Sequence, residues 1–200
     1  MNLRFESDRL FFRPLEETDL DLLRQQWMDP AVVEFTGGRL SSEQELIADM
    51  PVVTRRCAGG CIGNWCLVER STREKLGTAN LLPMPVDLDD TDWDLVSGDS
   101  IPEGDIEIGY VLKRTAWGQG YATEACDRLV RFAFEESPLQ EIIASIVIGN
   151  TASQRVLEKN GFSAIGLIQS YGEPSPGFRL TRQEWERAQR LTGPVQMTEG

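Results

Sequence analysis

The sequence of 200 residues contains no histidine. A serine triad with an imidazole base, a cysteine–histidine pair and a histidine-ligated zinc or iron site all need that residue, so these kinds of site are excluded. Any proton transfer must therefore use carboxylate, hydroxyl, thiol or amine groups, or water.

Basic residues are also scarce, because 20 lysines and arginines stand against 32 aspartates and glutamates, for a net charge of −12. Nucleic-acid binding depends on surplus positive charge, so nucleic acid is not an expected partner. No apolar run approaches the roughly 20 residues of a membrane helix, so no membrane partner is expected. The opening MNLRFESDRLFFRP carries charges where a signal peptide has its apolar centre, which predicts a cytoplasmic protein.

Cysteine is limited to positions 57, 61, 66 and 126. Their spacing does not form paired C-x-x-C motifs, and Cys126 falls inside a predicted helix. These features favour reduced, structurally neutral thiols, and no metal site is predicted.

The length predicts one domain over 1–191, with an acidic loop inserted at 83–105 and a flexible tail at 192–200. The loop carries eight acidic residues, no basic residue and several turn-forming prolines and glycines. Two interpretations are open: a solvated, mobile loop, or a source of attraction for a cationic substrate. The acidic residues are Asp87, Asp89, Asp90, Asp92, Asp94, Asp99, Glu103 and Asp105.

The hydrophobic pattern alternates strands and helices, which indicates an α/β (α+β) fold. The run EIIASIVI lacks alternation and predicts a strand buried on both faces at the sheet centre. A second helix is predicted to follow the capping candidates Ser41 and Ser42. Strands are predicted at 9–14, 64–70, 75–82, 106–113, 141–148, 162–168 and 178–180, and helices at 16–28, 43–56, 121–136 and 151–160.

A glycine-containing loop, WGQGYATEA at 117–125, joins a predicted strand to a predicted helix. Glycines at such a junction let backbone N–H groups converge on phosphate oxygens at the start of a helix. The segment matches neither the P-loop nor the dinucleotide fingerprint. Taken alone, a tight turn explains its two glycines equally well.

A second motif, NTASQRVLEKNGF at 150–162, follows the buried strand. A capping box of Thr151 and Gln154, with Gly161 as the helix terminator, explains most of it. That explanation does not require the Asn150 amide or the Ser153 hydroxyl, which are free to project toward the end of the sheet.

Together, the two motifs resemble the GNAT superfamily of acetyl-CoA-dependent N-acetyltransferases, in particular the branch of the ribosomal-protein alanine N-acetyltransferases. The opening ESDRLFFRPLEETDLDLL and the closing GFRLTRQEWE extend the resemblance over nearly the whole chain. The resemblance implies a single GNAT-like domain, with a mixed central sheet that is splayed between its fourth and fifth strands and flanked by helices.

The resemblance also implies how acetyl-CoA, the expected co-substrate, is bound. The backbone of Val111, Leu112 and Lys113 would pair with the pantetheine arm, and Asn150 would hydrogen-bond that arm from the other side. Trp117 stands where the superfamily has glutamine or arginine, as is usual in this branch. The backbone amides expected to hold the pyrophosphate are those of Gly118, Gln119, Gly120, Tyr121, Ala122 and Thr123.

For catalysis, Glu107 on the fourth strand is the candidate base, although a charge on an exposed strand edge would explain it equally well. Ser153 resembles the serine that this branch places near the coenzyme sulfur, so it is the candidate proton donor. Tyr110 and Tyr121 are alternative donors, or parts of the core. Cys126 is predicted to pack rather than to act as a nucleophile.

The expected activity is direct transfer of an acetyl group to a primary amine, either a protein N-terminus or a small cationic amine. A catalytically idle acyl-CoA-binding sensor is the alternative, because fold resemblance alone does not fix function. The oligomeric state, including a homodimer, is left open.

Overall fold

A computed structural model describes residues 1–192, and its nine strands form one mixed sheet. The strands are β1 (Phe5–Glu6), β2 (Leu10–Pro14), β3 (Arg56–Cys57), β4 (Ile62–Glu69), β5 (Lys75–Pro83), β6 (Ile106–Leu112), β7 (Glu141–Ser145), β8 (Ser163–Ser170) and β9 (Glu173–Thr181). Their order is β1-β2-β4-β5-β6-β7-β9-β8, and β3 pairs with β4. Neighbouring strands are antiparallel except β6 and β7, which are parallel.

Helices connect and cover these strands. They are α1 (Leu20–Trp27), α2 (Pro30–Val33), α3 (Glu43–Val53), α4 (Tyr121–Arg131), α5 (Thr151–Lys159) and α6 (Arg182–Thr192). The predicted cap of α3 is confirmed: the Ser42 side chain accepts from the Glu45 backbone, and the Glu45 carboxylate accepts from the Ser42 backbone. Helix α6 was not predicted. The tail prediction for 192–200 falls outside the described residues, apart from Thr192 at the end of α6.

The two faces of the sheet bury different clusters, because successive side chains of a strand point to opposite faces. On β4, Trp65 joins the larger cluster, which includes Leu129 of α4. Its neighbour Cys66 joins a smaller cluster with Leu22 of α1 and Leu46 of α3. The predicted fold class, a mixed sheet flanked by helices, is confirmed.

The predicted splay lies between β6 and β7. The two strands pair through Glu107 opposite Ile143, at the beginning of β6. Strand β7 ends at Ser145 rather than at the predicted residue 148, and Ile148 is exposed. The buried centre of the predicted strand is correct, because Ile142, Ile143 and Ala144 are all buried.

The segment between β5 and β6 contains no helix or strand, as predicted for the acidic loop. It is nevertheless tied to the fold, because Val96 is buried, Trp93 packs against the larger cluster and the Ala58 amide donates to the Gly98 carbonyl. Seven of its eight acidic side chains are exposed, and Asp92 is half-buried. The loop therefore presents its negative charge to solvent.

All four cysteines are free, as predicted. They are also buried, and burial raises the pKa of each thiol. Within residues 1–192, no group of three or more cysteine, aspartate or glutamate side chains is arranged to hold a metal ion. No helix in the same range is long and apolar enough to cross a membrane.

Candidate active site

The loop between β6 and α4 forms an exposed backbone cradle. Gly118 and Gly120 adopt left-handed conformations, with φ of 74° and 82°, which only glycine adopts without strain. No atom lies within 4 Å of the position that a Cβ at Gly118 would occupy, so the space beside that residue is open. Gly120 is the N-cap of α4.

The backbone N–H groups of this cradle, from Gly118 to Thr123, donate no hydrogen bond to any group within residues 1–192. The first turn of a helix leaves such donors free, and the helix dipole adds partial positive charge at the same place. This is the donor set that phosphate oxygens require, so the cradle fits the pyrophosphate of coenzyme A.

Two side chains of the loop brace the cradle from within. The indole Nε1 of Trp117 donates to the Leu112 carbonyl at 2.8 Å, which ties the loop to the end of β6. The Gln119 amide donates to the Thr115 carbonyl at 2.9 Å. Trp117 therefore shapes the loop by holding its backbone.

The backbone of β6 has one paired edge and one open edge beyond Glu107. The Lys113 amide donates to the Leu76 carbonyl on the side of β5, and the Val111 carbonyl accepts from the Gln26 side chain at 2.6 Å. Because backbone groups alternate along a strand, Leu112 directs its backbone toward the edge facing β7, where its carbonyl accepts from Trp117 and its N–H remains available. The three residues expected along the pantetheine arm thus differ in the direction of their backbone groups.

Glu107 lies at the point where β6 and β7 meet, and its side chain is almost fully buried. Its carboxylate accepts hydrogen bonds from the Tyr171 hydroxyl at 2.8 Å and the Ser145 hydroxyl at 3.3 Å. Burial raises the pKa of Glu107 to about 7, and the two hydrogen bonds oppose this rise because they stabilise the charged form. The alternative of a charge on an exposed strand edge is wrong.

Tyr171 is a residue of the site that the sequence did not indicate. It lies in the turn between β8 and β9 with φ of 53°, which is uncommon for a residue other than glycine. Its amide donates to the Pro85 carbonyl at 3.0 Å, and the Gly172 amide donates to the Val86 carbonyl at 2.9 Å. The start of the acidic loop thus holds the turn that carries the hydroxyl partner of Glu107.

Ser153, at the start of α5, forms a hydroxyl pair with Tyr110 of β6. The two oxygens are 2.9 Å apart, and either hydroxyl can be the donor. Burial raises the pKa of Tyr110, so its phenol stays neutral. The other tyrosine considered, Tyr121, instead donates to the Glu69 carboxylate at 3.1 Å.

Asn150 is the N-cap of α5, because its side-chain oxygen accepts from the Ser153 amide at 3.0 Å. This corrects the capping box that the sequence suggested for Thr151 and Gln154. The Asn150 Nδ2 group donates no hydrogen bond within residues 1–192, so it is free to serve a ligand.

The candidate base and the hydroxyl pair lie on opposite faces of β6. Glu107 and Tyr110 are separated by three positions in a strand whose register with β5 is continuous, so their side chains point in opposite directions. Glu107 contacts β7 and the β8–β9 turn, whereas Tyr110 contacts α5.

One solved structure and two curated proteins illustrate what this chain is similar to. AAC(6')-Ib, solved in complex with ribostamycin and coenzyme A, has a TM-score of 0.70 and 23% identity, over 90% of this chain and 97% of that one. The FsC-acetyl coenzyme A-N(2)-transacetylase of Aspergillus fumigatus is 29% identical over 191 residues, which cover 91% of this chain and 77% of the relative. The putative ribosomal N-acetyltransferase YdaF of Bacillus subtilis is 31% identical over only 86 residues, or 40% of this chain and 47% of YdaF.

The family comparison extends over most of the sequence. The family model for the acetyltransferase (GNAT) domain matches residues 9–163, which include the cradle, Glu107 and the Asn150–Ser153 segment. Acetyl-CoA is the co-substrate of this class of enzyme, and the cradle at the start of α4 fits its pyrophosphate. The chain belongs to the GNAT family of acetyltransferases.

Proposed function

We propose that the protein transfers the acetyl group of acetyl-CoA to a primary amine by direct attack of the amine. The observation that carries this proposal is the position of Glu107, a buried carboxyl with a pKa of about 7 at the point from which the gap between β6 and β7 opens. A general base works best when its pKa lies near the operating pH.

The coenzyme would lie along the open edge of β6, with its pyrophosphate in the cradle from Gly118 to Thr123. When bound, it supplies an activated acyl group as a thioester. The backbone of β6 near Val111, Leu112 and Lys113 would line the pantetheine arm, with Leu112 directed toward it. The free Nδ2 group of Asn150 would donate to the arm from α5.

Glu107 would remove the proton that keeps the acceptor amine unreactive, either directly or through a water molecule. An alkylamine has a reference pKa of about 10.4 and an α-amino group one of about 8, so both are largely protonated at neutral pH. Tyr171 and Ser145 hold the carboxylate in place by donating to its two oxygens. A backbone N–H of the central strand would stabilise the developing oxyanion.

Ser153 would supply the proton that the departing sulfur needs. Its hydroxyl is half-buried and is paired with the Tyr110 hydroxyl, which stays neutral. The nitrogen loses a second proton after it attacks the thioester, and this proton, passed through water, replaces the one that Ser153 gives to the sulfur. The proton taken by Glu107 leaves to solvent, so the reaction as a whole releases one proton from an ammonium acceptor. Cys126 has no part in this scheme, because burial raises its thiol pKa and direct transfer needs no acyl-enzyme.

The acceptor would be a cationic amine, and we favour a protein or peptide α-amine over a small polyamine or antibiotic. The support is the charge of the acidic loop, which begins beside Tyr171 and therefore beside the partner of Glu107. Burial raises the pKa of Tyr171 and of Asp49 of α3, and the charge of Asp90 in that loop adds to both rises, so these groups share one region of negative charge. The motifs of the ribosomal-protein branch and the partial similarity to YdaF favour the α-amine.

The test is a screen that measures coenzyme A release over peptide N-termini, polyamines and aminoglycosides at low and high salt. Turnover with a cationic acceptor, weakened by salt, is expected, since screening reduces long-range attraction. Tight acetyl-CoA binding without coenzyme A release across the panel would favour the idle sensor. Failure to bind acetyl-CoA would contradict both functions.

A further inference from the structure

We propose that Arg9 is a positioning residue for coenzyme binding. Its side chain orients the peptide group between Gln119 and Gly120 so that the cradle amides face the pyrophosphate. This inference rests on the proposed placement of the pyrophosphate in the cradle. Arg9 lies before β2, 110 residues away from the loop in sequence, and its Nη1 group donates to the Gln119 carbonyl at 2.9 Å.

The orientation follows from the planarity of the peptide group. In a trans peptide, the carbonyl of one residue and the N–H of the next point in opposite directions. Because Arg9 binds the Gln119 carbonyl, the Gly120 N–H must point away from Arg9. A loop with two left-handed glycines has many alternative backbone conformations. A fixed partner for the Gln119 carbonyl restricts the loop before the coenzyme binds, so less conformational entropy is lost on binding.

Arg9 is itself held rigidly by Glu124 in the first turn of α4. The Glu124 carboxylate accepts from the Arg9 backbone N–H and from its Nε, each at 2.6 Å. It also accepts from the Ser7 hydroxyl at 2.7 Å. The Arg9 guanidinium lies over the Tyr121 ring, 4.5 Å from its centroid. These contacts lock the segment before β2 to the helix that begins at the cradle.

The pairing with Glu124 also separates a positioning role from simple attraction of phosphate. A carboxylate at hydrogen-bond distance offsets most of the guanidinium charge seen from a distance. The contribution of Arg9 therefore comes from the geometry of its planar fork, which binds Glu124 and the Gln119 carbonyl at the same time. Lysine keeps the charge but cannot form both contacts in this arrangement.

The experiment compares Arg9→Lys with wild type, using acetyl-CoA, acetyl-dephospho-CoA and S-acetylpantetheine as donors. For the two donors that contain the pyrophosphate, KM is expected to rise about tenfold in the variant, while kcat stays within about twofold. For S-acetylpantetheine, which lacks the pyrophosphate, KM should be the same in both proteins. The KM of the amine should not change.

Arg70→Lys is the matched control, because Arg70 donates to the Ser7 and Asp8 carbonyls of the same N-terminal segment. Arg70 has no contact with the loop, so this variant should leave the KM of all three donors unchanged. Glu124→Gln is a second test of the clamp, and a smaller rise of about threefold, restricted to the same two donors, is expected.

An unchanged KM for acetyl-CoA in Arg9→Lys would overturn the inference. An equal loss with S-acetylpantetheine, or an equal effect of Arg70→Lys, would assign Arg9 a general structural role. An effect confined to acetyl-CoA would make Arg9 a ligand of the 3′-phosphate. Calorimetry on the wild type keeps the two proposals distinct: if coenzyme A binds no more tightly than pantetheine, the placement of the pyrophosphate fails, and the inference about Arg9 fails with it.

Discussion

The two faces of β6 carry two hydroxyl-containing clusters of similar geometry and different chemistry. On one face, the Tyr171 hydroxyl donates to Glu107 at 2.8 Å. On the other, the hydroxyls of Tyr110 and Ser153 lie 2.9 Å apart. The first cluster contains a group that changes charge near neutral pH, whereas both members of the second stay neutral. One strand thus separates the proposed base from the proposed proton donor.

The two clusters also differ in how many parts of the chain build them. Tyr110 and Ser153 involve one strand and one helix, whereas Glu107 depends on β7 and on a turn that the acidic loop holds in place. A single base has no substitute in the described site, but the hydroxyl pair has two members. The face with Glu107 is therefore expected to be the more sensitive to substitution.

Glu107→Gln should give the largest effect, a fall in kcat/KM of about 100-fold or more at pH 8, because general-base catalysis contributes about 10² to 10⁴ in rate. The KM of acetyl-CoA should not change, since Glu107 does not line the cradle. Steady-state kinetics with the acceptor found in the screen measures both parameters. Full turnover in this variant would remove Glu107 from the mechanism.

Ser153→Ala should lower kcat by about tenfold, less than Glu107→Gln, because Tyr110 or water can partly replace the lost hydroxyl. Helix α5 should be unaffected, since Asn150 caps it through the Ser153 backbone amide. Tyr110→Phe combined with Ser153→Ala should lower kcat by less than the product of the single effects, as expected of groups that act together. Multiplicative effects would show that the two hydroxyls act independently.

Glu107→Gln should increase the stability of the protein, although it lowers the activity. The pKa of this carboxyl is about 7 when folded and about 4.5 when unfolded, so ionisation costs stability as pH rises from 4.5 to 7, and the cost stays constant above that range. Glu107→Gln should therefore raise the free energy of unfolding on the order of 1 kcal/mol at pH 8.

Denaturant titration at pH 8 and at pH 4 tests this prediction. At pH 4 the wild-type carboxyl is protonated when folded and mostly protonated when unfolded, so most of the gain from Glu107→Gln should disappear. Ser145→Ala is the control. It removes a hydrogen-bond donor to Glu107 but keeps the carboxylate, so it should not produce the gain in stability. A stability gain that is the same at both pH values would contradict the assigned ionisation.

Tyr171→Phe should give a small effect on activity, a shift of the kcat/KM profile to higher pH with a loss of about two- to threefold at pH 7. The wild-type profile should rise through a pKa of about 7 as Glu107 ionises. Removing the hydroxyl removes a hydrogen bond that favours the carboxylate, which raises its pKa. Ser145→Ala should cause a smaller shift, because its contact is longer. A shift to lower pH would contradict this role for Tyr171.

The sequence was most informative where function depends on local backbone chemistry. Gly118 and Gly120 predicted the cradle, because a tight turn before a helix needs residues that tolerate left-handed conformations. The motif around Asn150 placed Ser153 at the start of α5, although the cap itself is one residue earlier than expected.

The partners of Glu107 could not be predicted, because they come from distant segments. Tyr171 is 64 residues away and Ser145 is 38, and both contacts depend on the order β6-β7-β9-β8 in the sheet. Strand β7 was predicted three residues too long, because Val147 and Ile148 continue its apolar run although both are exposed. Composition alone does not distinguish a buried apolar residue from an exposed one.

The pairing of β6 with β7 through Glu107 and Ile143 has a mechanical consequence. The proposed coenzyme site divides the sheet into two panels, β1 to β6 and β7 to β9, which pair near the beginning of β6. Any widening of the gap toward the end of β6 would then amount to rotation about the paired end, where displacement would be smallest. Glu107 lies at that pivot, so its carboxylate would keep its position while the free end of β6 moves to admit and release the coenzyme.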